Sequence, residues 1–336
     1  MFHKVDVVCG TGRNSGVKKL ENCRWKQRWV SHLGCIRGCL DYLGIKMSDG
    51  WLYGGTGHAF VINIHDELCP SGPTAWKSVK LFEHGKTLGY TIDGCFGFKD
   101  QDDFGEVQKR AYDHVRTSID QDRPCYGWEL EIPEYYVVFG YDDTGYFYSG
   151  AGCDEGRGPK PWREFADTGI GILEMYSIGP SEPIDDVEIV RNSLSFALEM
   201  SKGPSKWVHD GYRGGIKGFE TWIAAFEAGI ASDMGTRYNA GVWSECRTMA
   251  VEYLKEAKRR IPERADSLFD EAIREYSEVA NQLKNVAEIY PWVEGASEQN
   301  LIPVNRSSER ASEALEAAMD AEAKGLVAVG EILERL

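Results

Sequence analysis

RWVSHLGCIRGCLDYLGIKMSDGWLYGGTGHAF, residues 28–60, is the stretch on which the reading of this chain turns. Leu33, Ile36, Leu40 and Leu43 recur at helical spacing, so 32–43 is expected as a helix with one apolar stripe. Gly44 stands where a left-handed residue closes such a helix. The polar pair Ser31-His32 leads in, and the glycine-rich run Gly54-Gly55-Thr56-Gly57 follows. Thiol enzymes often mount a nucleophile at a helix start in this manner, yet the position in question is Ser31.

Working outward, residues 104–119 form a second expected helix, with Val107, Ala111, Val115 and Ile119 at its spacing. EYYVVFGYDDTGYFYSG (134–150) is dense in Tyr, Val and Phe and is broken by Asp-Asp-Thr-Gly, a hairpin signal. GILEMYSI (171–178) reads as a further strand of the same sheet. Composition then changes: residues 1–180 hold 26 of the 37 glycines and 5 alanines, whereas 181–336 hold 11 glycines and 20 alanines. Glycine marks turns and alanine is the best helix former, so the expected division is an α/β domain over 1–180 and a helical bundle over 181–336. Residues 264–290 and 307–336 carry long apolar faces, and two or three more helices are expected between 186 and 260.

The net charge of −15 leaves no cationic face for nucleic acid or an anionic membrane. No run of 18 apolar residues is present, and MFHKVDVVCGTGRNSG has no signal-peptide core. Nine cysteines, an odd number with no CxxC pair, fit reduced thiols and a cytoplasmic protein.

Cys35-Ile36-Arg37, Tyr42-Leu43-Gly44, Ser48-Asp49, Gly54-Gly55-Thr56-Gly57 and the later EYYVVFGYDD together resemble a known family. Residues 25–180 are similar to the N-terminal domain of the butirosin-biosynthesis acyltransferase H family, a relative of the papain-like, bacteriocin-leader-processing cysteine peptidases. The resemblance implies a papain-like α+β domain, here followed by the all-helical one. It also places the nucleophile at Ser31, the general base at Tyr135 and the orienting acid near Gly150. The oxyanion-stabilising glutamine falls at Trp25, with Gln27 two residues off. None of these positions keeps its chemistry: a phenol with a pKa of about 10 is protonated at neutral pH, and losing the whole catalytic unit costs roughly 10⁶ in rate.

Other residues remain as candidates. Cys125 opens the strand before the hairpin and is a conceivable replacement nucleophile, although a buried strand thiol is the simpler reading. His58 and His65, seven apart, would face opposite sides of a single strand, so no metal site is expected. The 54–57 run either cradles a phosphate or lets chain segments approach closely, the latter being the simpler. WVHDGYRGGIKGFETW (207–222) interrupts the helical texture and offers His209 and Arg213.

The expected function is therefore a catalytically degenerate papain-like protein that binds a small or peptidic ligand in a cleft between its two domains. Ser31, His32, Thr56, His58, Cys125, Tyr135, Tyr136, His209 and Arg213 would line it, without a cofactor. The alternatives are an acyltransferase or amide hydrolase of secondary metabolism that uses Cys125 with His58 or His32, and a protein–protein module whose helical half makes a homodimer.

Overall fold

The first helix begins and ends one residue before the expected span of 32–43. In the computed structural model, which describes residues 16–261, 265–293 and 309–336, α1 runs Ser31–Tyr42 and buries Leu33, Ile36 and Leu40. It ends in a paired C-cap: Gly44 N–H bonds the Asp41 carbonyl and Ile45 N–H bonds that of Leu40, with Gly44 at φ 71°. Two orphan carbonyls are thereby satisfied, which only a left-handed residue permits at little cost.

Around it, in chain order, stand β1 (Lys18–Lys19), α1, α2 (Asp49–Gly55), β2 (Asn63–His65), α3 (Val79–Leu88), β3 (Tyr90–Phe98) and α4 (Phe104–Asp120). Then come β4 (Cys125–Trp128), β5 (Tyr135–Tyr141), β6 (Gly145–Ser149), β7 (Arg157–Pro161) and β8 (Ile172–Pro180). The remainder is α5 (Asp186–Lys202), β9 (Tyr212–Gly214), α6 (Ile216–Glu227), α7 (Asp233–Arg260), α8 (Asp266–Ile289) and α9 (Glu309–Arg335). The expectations for residues 1–15, 264 and 307–308 lie outside the described residues.

The chain divides into two compact units, and not at residue 180 as composition suggested. Among the described residues, one comprises those up to 25 and 94–177; the other comprises 26–93 and those from 178 onward. Residues 26–93 belong with the later helices for a packing reason. Helix α2 lies so close to α7 that a Cβ on Gly54 would sit 1.9 Å from the Tyr253 ring, and one on Gly50 would sit 2.9 Å from Glu252. The glycines that looked like sheet-domain turns are contact points for a helix far along the chain.

The first unit holds most of a sheet ordered β3-β8-β4-β5-β6-β7, with β1 pairing the end of β5 beyond β4. The pairs β4–β5, β4–β8, β5–β6 and β6–β7 are antiparallel. The expected hairpin is β5–β6, and Asp142 closes its turn by accepting from Thr144 and Gly145 N–H at 2.8 and 3.0 Å. Helix α4 covers one face with Val107, Ala111, Val115 and Ile119, as its periodicity predicts.

The second unit is mainly helical. Helices α7, α8 and α9 form its core, against which α2, α5 and α6 pack. The β2–β9 pair forms a small second sheet within it. One buried ion pair organises this interior. The Arg247 guanidinium makes a two-pronged bond to Glu322 at 2.7 and 2.8 Å. Its remaining donors go to the carbonyls of Ala59, Val61 and Phe60 at 2.8, 2.9 and 3.3 Å. All five N–H groups of the fork are engaged, which is the condition for burying it fully.

Among the described residues, no helix is long and apolar enough to cross a membrane.

Candidate functional site

At the start of α1 the N-cap Val30 supplies no capping side chain, and Ser31 is nearly buried. A carboxylate from α7 instead lies at the amides that lead into the helix. Glu245 Oε1 accepts from Trp29 N–H at 3.0 Å, from Val30 N–H at 3.4 Å and from the Tyr53 hydroxyl at 2.6 Å. Burial raises the Glu245 pKa, opposed by these three donors and by Arg28. A helix start favours negative charge, and here the charge comes from another helix. Nothing in the 28–60 stretch pointed to Glu245. Its one sequence signal is a carboxylate set beside the buried Val242, Trp243 and Cys246 of α7.

His32 and His58 are both in the interior of this unit. Burial lowers the pKa of His32 to about 3, assisted by the nearby His58, and that of His58 to about 4. Both are therefore neutral near pH 7. His58 lies in the 3₁₀ turn His58–Phe60, not in a strand continuous with His65, so the alternation argument for 58–65 does not apply. Its Nδ1 touches the Cys246 thiol at 3.7 Å, and its ring packs against Trp76 and Tyr53. Burial also pushes the Cys246 thiol well up, so the contact is one of neutral groups. Thr56 offers no donor to a ligand, because its hydroxyl donates to the Leu52 and Tyr53 carbonyls at 2.7 and 3.1 Å. The glycines beside it serve close packing: a Cβ at Gly55 would meet Leu88 at 2.6 Å, and one at Gly57 would meet Phe196 at 2.4 Å.

His209 and Arg213 are exposed on the second unit. Arg213 lies in β9 opposite Ile64 and pairs with Asp66 at 3.7 Å, so it does not share the interior that holds His32 and His58. A solvated pair of this kind contributes little.

In the sheet unit, β5 starts at Tyr135 itself. The Tyr135 hydroxyl donates to Glu174 Oε2 at 2.5 Å, and Tyr176 bonds the same carboxylate. Burial and the Glu174 charge raise the phenol pKa well above its ordinary value. Tyr136 does not share this position. Neighbouring strand residues alternate faces, and the register puts Tyr136 opposite Gly127, on the face that also carries Cys125. Cys125 is fully buried on that face, hydrogen bonded to Ser118 of α4, and burial pushes its thiol well up. It therefore does not stand beside Tyr135. Gly150, where the resemblance implies an acid, has no room for a side chain: a Cβ there would sit 2.3 Å from the Tyr136 ring.

Among the described residues, no three His, Cys, Asp or Glu side chains gather as metal ligands. In comparison with known proteins, no family model and no curated protein matches the chain.

Proposed function

We propose that this chain is a papain-type protein that has lost catalysis and acts by binding a small or peptidic ligand. The supporting observation is Tyr135. The position at which the resemblance implies a base opens strand β5, as that reading requires, but holds a phenol bonded to Glu174 and kept protonated by burial. Proton abstraction at neutral pH needs a group whose pKa lies near 7. A Cβ at Gly150 collides with Tyr136, which supports the same reading. A relocated thiol is the weaker alternative, since Cys125 and Cys246 are buried with raised pKa values, the opposite of a reactive cysteine.

The test is thiol reactivity. At pH 7 the folded protein should react with iodoacetamide no faster than free cysteine does. Rapid stoichiometric labelling of one thiol, with acyl transfer from a thioester lost on its alkylation, overturns the proposal.

A further inference from the structure

Beside the start of α1, wholly within the helical unit, lies a cavity of about 400 Å³. Its lining includes Trp29, Trp292, Tyr290, Glu245, Thr248 and Arg237. The size is that of a small-molecule pocket. Two features of the lining define what it would hold.

The first is aromatic. The Trp29 and Trp292 rings stand 88° apart with centroids separated by 5.9 Å. Tyr238 packs edge-on against both, at 5.8 Å from each. Of these, Trp29 and Trp292 line the cavity with Tyr238 packed behind them, and an indole face attracts a cation. The close fit is built in: a Cβ on Gly241 of α7 would come within 2.6 Å of the Trp29 indole.

The second is electrostatic. All three donors to Glu245 converge on Oε1. Oε2 receives none of them, and Glu245, half-buried, lines the cavity. The cation in the lining, Arg237, gives Nη1 to the Pro291 carbonyl at 2.8 Å. It lies eight residues from Glu245 on α7, roughly 12 Å along the axis. Glu245 is thus the acceptor beside the aromatic walls: Arg237 stands at a distance from it, and Arg28, the cation that acts on it, is itself bound to Asp49.

We infer that this cavity is a binding site for an alkylammonium group, held by Glu245 Oε2 and by the Trp29 and Trp292 rings. The inference deepens the binding role proposed above by giving it a place and a ligand chemistry.

The experiment is calorimetric titration of the full chain with n-butylammonium, using 1-butanol and butyrate as isosteric neutral and anionic controls. Tetramethylammonium separates cation–π attraction from hydrogen bonding, because it cannot donate to Oε2. Wild type should bind n-butylammonium saturably, and neither control. Glu245→Gln and Trp292→Ala should each weaken it about tenfold or more, while Trp292→Phe, which keeps a ring, recovers part of the loss. Melting curves of the variants confirm that each is folded. Equal binding of 1-butanol, no binding of n-butylammonium, or an affinity unmoved by both Glu245→Gln and Trp292→Ala overturns the inference. Each of these leaves the thiol-reactivity result untouched, so this inference and the loss of catalysis fail separately.

Discussion

Replacing Arg247 by methionine should be among the most damaging single changes available to the helical unit. Methionine fills much of the arginine volume, so the dominant loss is polar and no large cavity forms. Five hydrogen bonds disappear. Glu322, 2% exposed, is left as a buried carboxylate without its counter-charge, and the carbonyls of Ala59, Phe60 and Val61 lose their donor. Stranding one member of a buried pair costs about 3–5 kcal/mol. At about 2–4 °C per kcal/mol for a body of about 150–250 residues, the melting temperature should fall by roughly 6–20 °C. The double variant Arg247→Met/Glu322→Leu removes the stranded charge and should recover about 2 kcal/mol or more, leaving the cost of the three carbonyls. Urea unfolding followed by circular dichroism gives both free energies. Amide exchange at residues 57–61 separates the contributions: Arg247→Met should loosen that turn and Glu322→Leu should not, because the guanidinium still holds the carbonyls. A cost below about 1 kcal/mol for Arg247→Met, or a double variant as unstable as the sum of the singles, refutes the reasoning.

Acid should destabilise the protein through His32 and His58. Their folded pKa values lie near 3 and 4, below the ordinary value of about 6.5, so between those limits the unfolded chain binds more protons and stability falls as pH falls. The expected slope is up to about 1.4 kcal/mol per pH unit for each histidine from about pH 6 downward, and His58→Gln should flatten it in urea titrations at several pH values. Gly54→Ala should cost about 1–3 kcal/mol in the same unfolding assay, since the added methyl would lie 1.9 Å from the Tyr253 ring and must push α2 from α7. An unchanged midpoint would mean that the two helices have slack.

What was legible in the sequence follows from how local each signal is. The helix over Ser31–Tyr42, α4, the β5–β6 hairpin and the faces of α8 and α9 each rest on the periodicity of one element and its own turn residues. The unit boundary does not. Composition counts glycines, but whether Gly50 and Gly54 serve a sheet turn or a helix crossing depends on Tyr253 and Glu252, which only the fold brings near. The candidate site divides in the same way. The start of α1 and of β5 was readable, whereas Glu245 and Trp292 meet at α1 only through tertiary packing. The Arg247–Glu322 pair did leave a trace. Glu322 interrupts the otherwise small and apolar inward face of α9, formed by Ala318, Ala321, Gly325 and Ala328, and a charge there calls for a buried partner.

On the proposed reading, the departures from a thiol enzyme support one another rather than being independent losses. A thiolate at the start of α1 needs nearby positive charge, but the Arg28 charge there is already shared by Asp49 and by Glu245, whose carboxylate sits on the amides just ahead of Ser31. Ser31 is buried, and burial raises a thiol's pKa, so a cysteine placed at position 31 would be held as the thiol. An imidazole returned to position 135 would meet the Glu174–Tyr176 arrangement that now bonds the phenol. The acid implied at position 150 would still be missing, because the Tyr136 ring occupies the space a side chain on Gly150 would need, and Glu174 is the carboxylate bonded at position 135. On that reading each of these positions is packed around by its neighbours. The polar groups concerned are fixed by hydrogen bonds and close contacts, the preorganisation that a binding site needs.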